Sequence, residues 1–314
     1  MDFDSKIFVA GHRGLVGSSI IRKLKKEGYN NIITKQKCFL DLTNQSQVED
    51  FFREERPDYV FLAAAKVGGI GYNKIAPADF IRENLQIQTN VIDAAYRNRC
   101  KKLLFLGSAC VYPKHAPVPI KEEYLMTGPL EETNSAYSLS KIIGYEMCRK
   151  YTTQYGFQTI SVMPNNLYGI NDNFIVEQSH VIPGLINKFV SAKEKNLPTV
   201  TCFGDGSPTR EFLFSDDLAD ALLFLMNNYN DPEIINIGTK REISIKELSE
   251  IISNLVGYSG EVVWDTSRPN GTPRRFLDTY KMDSLGWTSQ TSLENGLEIT
   301  IDWFLENRSN HARK

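Results

Sequence analysis

Tyr137 and Lys141 stand four residues apart in Tyr137-Ser138-Leu139-Ser140-Lys141, on a segment that reads as a helix. Four residues make just over one turn, so both side chains share a face. An ammonium beside a phenol stabilises the phenolate and lowers its pKa from about 10. That makes the tyrosine a usable proton donor near neutrality. Ser108 lies 29 residues before Tyr137, just past the apolar run 102–106. Ligands of parallel sheets bind at the carboxyl ends of such strands, so the Ser108 hydroxyl could hold a substrate carbonyl beside Tyr137.

A second constellation sits near the start. Gly11-His12-Arg13-Gly14-Leu15-Val16-Gly17 follows an apolar strand and opens a helix, in the pattern G-x-x-G-x-x-G. Gly11 permits the tight turn, Gly14 admits a pyrophosphate to the backbone N–H groups, and Gly17 lets helix and strand approach. The loop, Leu15 included, leads into a helix whose N-terminus offers partial positive charge to the anion. An NAD site usually places an acid at the end of the second strand. Here that position reads Thr34-Lys35-Gln36-Lys37, and Arg13 lies inside the loop. Arg13 and Lys37 suit a ribose 2′-phosphate, so the expected cofactor is NADPH; otherwise Lys35 and Lys37 form a solvated face. Asp41 and Leu42 follow closely enough to border the adenine.

These residues need a frame, and the apolar pattern supplies one. Strands are expected at 6–10, 31–34, 59–65, 102–106 and 159–163, with helices at 18–27, 45–54, 78–98 and 138–155 between or after them. Such alternation predicts an α/β fold, a Rossmann-like doubly wound parallel sheet. After Pro164 the loops lengthen. A dinucleotide-binding domain is therefore expected over 1–165, with parts of about 205–230 returning to it, and a smaller α/β substrate domain over 166–314.

The chain has 314 residues, with 36 Lys+Arg against 38 Asp+Glu, so no broad basic field invites nucleic acid. Its longest clean apolar run is seven residues, 59–65, against the roughly 20 that a spanning helix needs. The early acids Asp2 and Asp4 do not suit a secretory signal. A cytoplasmic protein without a membrane segment is expected. Five cysteines at irregular spacing include no CxxC pair, so no metal site is expected. All but Cys110 read as small buried hydrophobes.

The motifs Ala63-Ala64-Ala65-Lys66-Val67-Gly68-Gly69, Leu106-Gly107-Ser108-Ala109-Cys110-Val111-Tyr112-Pro113, Tyr137 to Lys141, Asn166-Leu167-Tyr168-Gly169, Ser179-His180-Val181-Ile182-Pro183, Arg210-Glu211-Phe212-Leu213 and Gly271-Thr272-Pro273-Arg274 span nearly the whole chain. On them the sequence resembles the extended short-chain dehydrogenase/reductases, and within these the GDP-L-fucose synthase family. The resemblance implies NADPH-dependent 3,5-epimerisation and 4-reduction of GDP-4-keto-6-deoxy-D-mannose. It implies a reductase triad of Ser108, Tyr137 and Lys141, with Lys141 also holding the nicotinamide ribose. Ala63, Ala64 and Lys66 would border the cofactor. Cys110 and His180 would be the acid/base pair for inversion at C3 and C5. That assignment has its own chemical sense: a C4 ketone acidifies those protons, and a thiol and an imidazole titrate near neutrality.

Arg210 matches a family residue that contacts the GDP-sugar; its plain alternative is an ion pair with Asp216 or Asp217. Asn166, Lys188, Phe203 and Arg274 complete the expected substrate set. Arg274 and Arg275 could each pair with Asp278 or with phosphate, and spacing does not separate these. The resemblance also implies a homodimer, with the helices at 78–98 and 138–155 long enough to pair across a two-fold axis. Departures from the family pattern are Phe203 for Trp, Lys188 and Lys37 for Arg, Asn165 for Thr, and Ile170-Asn171 for Pro-His. They fall around the sugar and diphosphate. A second reading is therefore a C4-reductase of a related GDP-4-keto-6-deoxy-heptose with epimerisation weakened or absent. A non-catalytic nucleotide sensor would be expected to lose Tyr137 or Lys141, and both are present.

Overall fold

Ile7–Ala10 (β1) is apolar throughout and buried throughout, as a strand covered on both faces must be. In the computed structural model, which describes residues 1–175, 178–268 and 270–311, it is followed by α1 (Leu15–Lys26), β2 (Ile32–Ile33), α2 (Gln45–Glu55) and β3 (Tyr59–Leu62). Then come α3 (Ile70–Ile75), α4 (Pro77–Arg97), β4 (Lys102–Leu106), α5 (Ser135–Tyr155) and β5 (Gln158–Pro164). Most boundaries fall within a residue of expectation, but three differ by three residues, and one of these is the start of α5 at Ser135 rather than 138. The first helix starts at Leu15 rather than 18, because Gly14 takes an extended conformation and serves as its N-cap. The third strand stops at Leu62 rather than 65, and α3 lies in the segment beyond it, unforeseen because it is only six residues long.

The second half contributes β6 (Asn166–Tyr168), α6 (Val181–Glu194), β7 (Thr199–Phe203), β8 (Thr209–Phe214), α7 (Ser215–Asn228) and β9 (Ile235–Ile237). It ends with β10 (Glu242–Ser244), α8 (Ile245–Val256), β11 (Glu261–Asp265), β12 (Arg274–Arg275), α9 (Tyr280–Ser284) and α10 (Leu293–His311). The large sheet runs β2-β1-β3-β4-β5-β9, all parallel. The order reverses between β1 and β3, which places the ligand crevice of a doubly wound sheet at their carboxyl ends. The chain returns to this sheet with β9, and α7 packs along α1.

Alternation along each strand sorts side chains to two cores. Phe8, Leu103 and Phe105 join Val48, Val91 and Cys148 on one face. Ile7, Val9 and Leu104 join Ile20, Leu218 and Leu222 on the other. A third core, including Phe189, Phe212, Ile252 and Phe304, lies among α6, α8, β8 and α10. There β8 is the hub, pairing antiparallel with β10 and parallel with β12 and β6. No helix among the described residues is long and apolar enough to cross a membrane.

Candidate active site

The loop after β1 is shaped by close approach. A Cβ on Gly17 would lie 2.1 Å from the Gly11 carbonyl oxygen, and one on Gly11 would lie 2.7 Å from the Ala64 nitrogen. Gly11 also has φ +84°, a conformation side chains rarely take. Gly14 caps α1 without any side-chain hydrogen bond, and the first turn carries no acid. The N–H groups and dipole of α1 are thus left to an external anion. Arg13 reaches Gln36 at 3.4 Å. Lys37 is exposed, while Lys35 pairs with Glu55 at 3.4 Å. This surface fits a dinucleotide with an added phosphate.

Three of the residues expected at the cofactor have partners within the fold. Lys66 is tied to Glu83 at 2.6 Å, and its backbone exchanges hydrogen bonds with the Asn84 side chain. Asp41 accepts from the backbone and hydroxyl of Thr43 at 3.0 and 2.8 Å, closing a turn. Leu42 packs against the core on the α2 side.

Ser108, two residues past β4, is extended and caps a 3₁₀ turn over Ala109–Val111. Its Oγ accepts from the Cys110 backbone N–H at 3.4 Å and from the Cys110 thiol at 3.1 Å. The Ser108 hydroxyl stands beside the Tyr137 phenol and favours its ionised form. Lys141 is buried, donates to the Leu106 carbonyl at 2.7 Å, and lies 4.9 Å from the Phe105 ring centroid and 5.8 Å from that of Tyr137. Ser108, Cys110, Tyr137 and Lys141 are therefore brought together where β4 meets α5.

The electrostatics correct one expectation. Burial pushes the Tyr137 phenol above its ordinary 10, with the Cys110 charge adding to the rise and the Ser108 hydroxyl opposing it. The lysine sits beside the ring, engaged by Leu106, and does not pull the phenol down. Burial instead lowers Lys141 to about 8. Tyr137 is thus a held proton rather than a ready phenolate.

His180 caps α6 and is exposed, yet enough protein surrounds its ring to hold the imidazole below the ordinary 6.5. The segment before it is braced by Gly69, whose N–H donates to the Gln178 carbonyl at 2.9 Å. A Cβ on Gly69 would lie 2.7 Å from the Ser179 oxygen, so only glycine lets the two segments meet. His180 forms no hydrogen bond to Cys110 among the described residues.

On the substrate side, Arg210 pairs with neither Asp216 nor Asp217. Asp216 bonds Arg22, and Asp217 accepts from Gln290 and Thr291. Burial, and then the charge of Arg275, lower Arg210 to about 10. Arg275 stands in register with it across β8 and β12. Neither guanidinium has an ion-pair partner among the described residues. Two adjacent cations of this kind suit a dianion. Arg274 is not brought to the site: it is exposed and held in a fork by Glu242 at 2.7–2.9 Å. Asp278 accepts from the Tyr280 backbone and pairs with neither arginine.

Asn166 donates to the Glu211 carbonyl at 3.2 Å. Glu211 is fully buried, with its carboxylate held by the Asn165 amide and by the backbone N–H groups of Thr239, Lys240 and Leu277. Asn165, a departure from the family pattern, is one jaw of that clamp. Lys188 donates to Thr201 at 3.1 Å and lies 4.2 Å from the Phe203 ring, with Arg268 at 5.4 Å. Phe203 is 62% exposed, an aromatic face braced by two cations. Sequence reasoning missed Gly69, Glu211 and the choice of Arg275 over Arg274. For the arginines the only signal was the adjacent pair.

A family profile described as the NAD dependent epimerase/dehydratase family matches residues 7–238. GDP-L-fucose synthase 1 of Arabidopsis thaliana is 54% identical over 309 residues, covering 98% of this chain and 96% of that protein. GDP-L-fucose synthase of Escherichia coli strain K12 is 46% identical, covering 96% of this chain and 97% of that protein. Among solved structures, MlghC, a GDP-mannoheptose C4 reductase from Campylobacter jejuni with NADP bound, is 40% identical with TM-score 0.90, covering 97% of this chain and 99% of that one.

Proposed function

The chain belongs to the NAD dependent epimerase/dehydratase family, and from that premise we propose that it converts GDP-4-keto-6-deoxy-D-mannose to GDP-L-fucose with NADPH. The observation that carries this is identity of 54% and 46% along nearly the whole chain to two GDP-L-fucose synthases. The heptose reductase is less similar, at 40%.

In this reading Gly11, Gly14, Leu15 and Gly17 hold the cofactor pyrophosphate, Arg13 and Lys37 its 2′-phosphate, and Ala63 and Ala64 its flank. Bound NADPH supplies hydride to C4. Ser108 orients the C4 carbonyl, and Tyr137 gives its proton to the oxygen as charge develops there. Lys141, charged below about pH 8, stabilises the phenolate that remains and holds the nicotinamide ribose. Cys110 and His180 exchange protons with C3 and C5 while the ketone persists. Arg210 and Arg275 take the diphosphate, Asn166 and Lys188 border it, and Phe203 offers its face to the guanine.

The test is NADPH oxidation with this keto-sugar in heavy water, with the product read by mass and NMR. Deuterium at C3 and C5 in a fucose product is expected. Reduction without solvent deuterium would make the chain a plain C4-reductase. No oxidation, with turnover of the heptose analogue instead, would overturn the sugar assignment.

A homodimer completes the proposal. The partner surface is α5, where Leu139 and Ile143 are 43% and 45% exposed one turn apart, beside the tightly packed α4. Light scattering should give twice the 35.7 kDa chain mass for the native protein and the single mass for Ile143→Glu. A native monomer would refute it.

A further inference from the structure

Arg275 touches two functional regions at once. On its strand, β12, it is in register with Arg210 of β8. The residue is buried, with 9% exposure, and its Nη1 donates to the Ala109 carbonyl at 3.3 Å. Ala109 lies between Ser108 and Cys110 in the 3₁₀ turn. The register is held from behind by Glu211, which binds the Leu277 N–H at 3.4 Å. Its neighbour Arg274 is diverted to Glu242.

Accepting the GDP-sugar reading above, we infer that Arg275 is a positioning residue that makes diphosphate occupancy set the placement of the Cys110 turn. Guanidinium carries five donors in a planar fork, so one edge can hold Ala109 while another meets an anion beside Arg210. A lysine ammonium keeps the charge but not the two-edged geometry. Binding energy at the diphosphate is thereby used at the reacting carbons, several bonds away. The inversion chemistry depends on it most, because the thiol rides on the same turn.

Two measurements on the full-length protein test this. With NADP saturating its own site, alkylation of Cys110 by iodoacetamide, followed by peptide mass spectrometry to separate it from exposed Cys38, is compared with and without GDP. In the native protein GDP should change the Cys110 rate at least threefold, and in Arg275→Lys and Arg275→Met it should not. This readout needs no turnover, so it stands even if the sugar assignment fails. In turnover, Arg275→Met should raise KM for the GDP-sugar about tenfold and cut deuterium entry at C3 and C5 a further tenfold relative to NADPH oxidation. Arg275→Lys should restore KM but not that ratio. Full restoration by lysine, or an equal loss of exchange and hydride transfer, would reduce Arg275 to a phosphate charge or a structural strut. No GDP effect on native Cys110 would overturn the coupling outright.

Discussion

Tyr137→Phe should reduce NADPH oxidation by roughly 10²- to 10⁴-fold, about 3–5 kcal/mol of barrier, while NADPH still binds. The phenol gives the proton to the C4 oxygen in the proposed mechanism, and it is kept protonated by burial. Phenylalanine preserves the ring against Lys141 and the packing of α5, so the loss isolates the hydroxyl. Fluorescence titration of NADPH and turnover at saturating sugar separate the two effects. Turnover within threefold of the native value would sink the assignment. The pH dependence adds a sign. Lys141 loses its proton near 8 in the free protein, and its charged form is the one that stabilises phenolate. The kcat/KM for reduction should therefore fall as pH rises through about 8, because that ratio reports the free enzyme. A profile flat to pH 10 would remove Lys141 from the mechanism.

Cys110→Ala should lower deuterium entry at C3 and C5 by roughly 10²- to 10⁴-fold. The thiol sits at 3.1 Å from Ser108 Oγ, beside the group that is expected to orient the C4 carbonyl. That places it near the carbons whose protons the ketone acidifies. The product should change along with the rate: residual NADPH oxidation yields a C4-reduced sugar that has not been inverted. His180→Gln should give the same product change. The protein around the ring holds the His180 imidazole below its ordinary 6.5, so it gains charge only on acidification. Exchange should therefore weaken as pH falls through that lowered pKa. Exchange at the native rate in both variants, followed by NMR, would show that other groups invert the sugar.

The phosphate loop and the Tyr137–Lys141 pair are legible in the sequence because their signals are local. The glycine spacing at 11, 14 and 17 and the four-residue step from Tyr137 to Lys141 are fixed by helix and turn geometry within one segment. The apolar strands were legible for the same reason: a strand covered on both faces has no polar alternation. Arg274 and Arg275 show where locality ends. Adjacent residues on a strand face opposite sides, so one of the pair must meet β8's Arg210 and the other must not, and sequence cannot say which. The pairing register of β12 on β8 decides it, together with Glu242 arriving from β10 to occupy Arg274.

The direction of the Tyr137 shift was equally a tertiary matter. Spacing put the ammonium and phenol on one face, which predicts a lowered pKa. Folding then gave the ammonium to the Leu106 carbonyl, and desolvation of the phenol raised its pKa. The fold class, the phosphate loop and the Tyr137–Lys141 pairing follow from local pattern, since each depends on neighbours within a few residues. The tertiary structure alone decided which arginine joins Arg210, how Gly69 braces the approach to His180, and how each ionisable group is tuned. Those depend on strand register and on burial by segments far away in the chain, neither of which a local pattern carries.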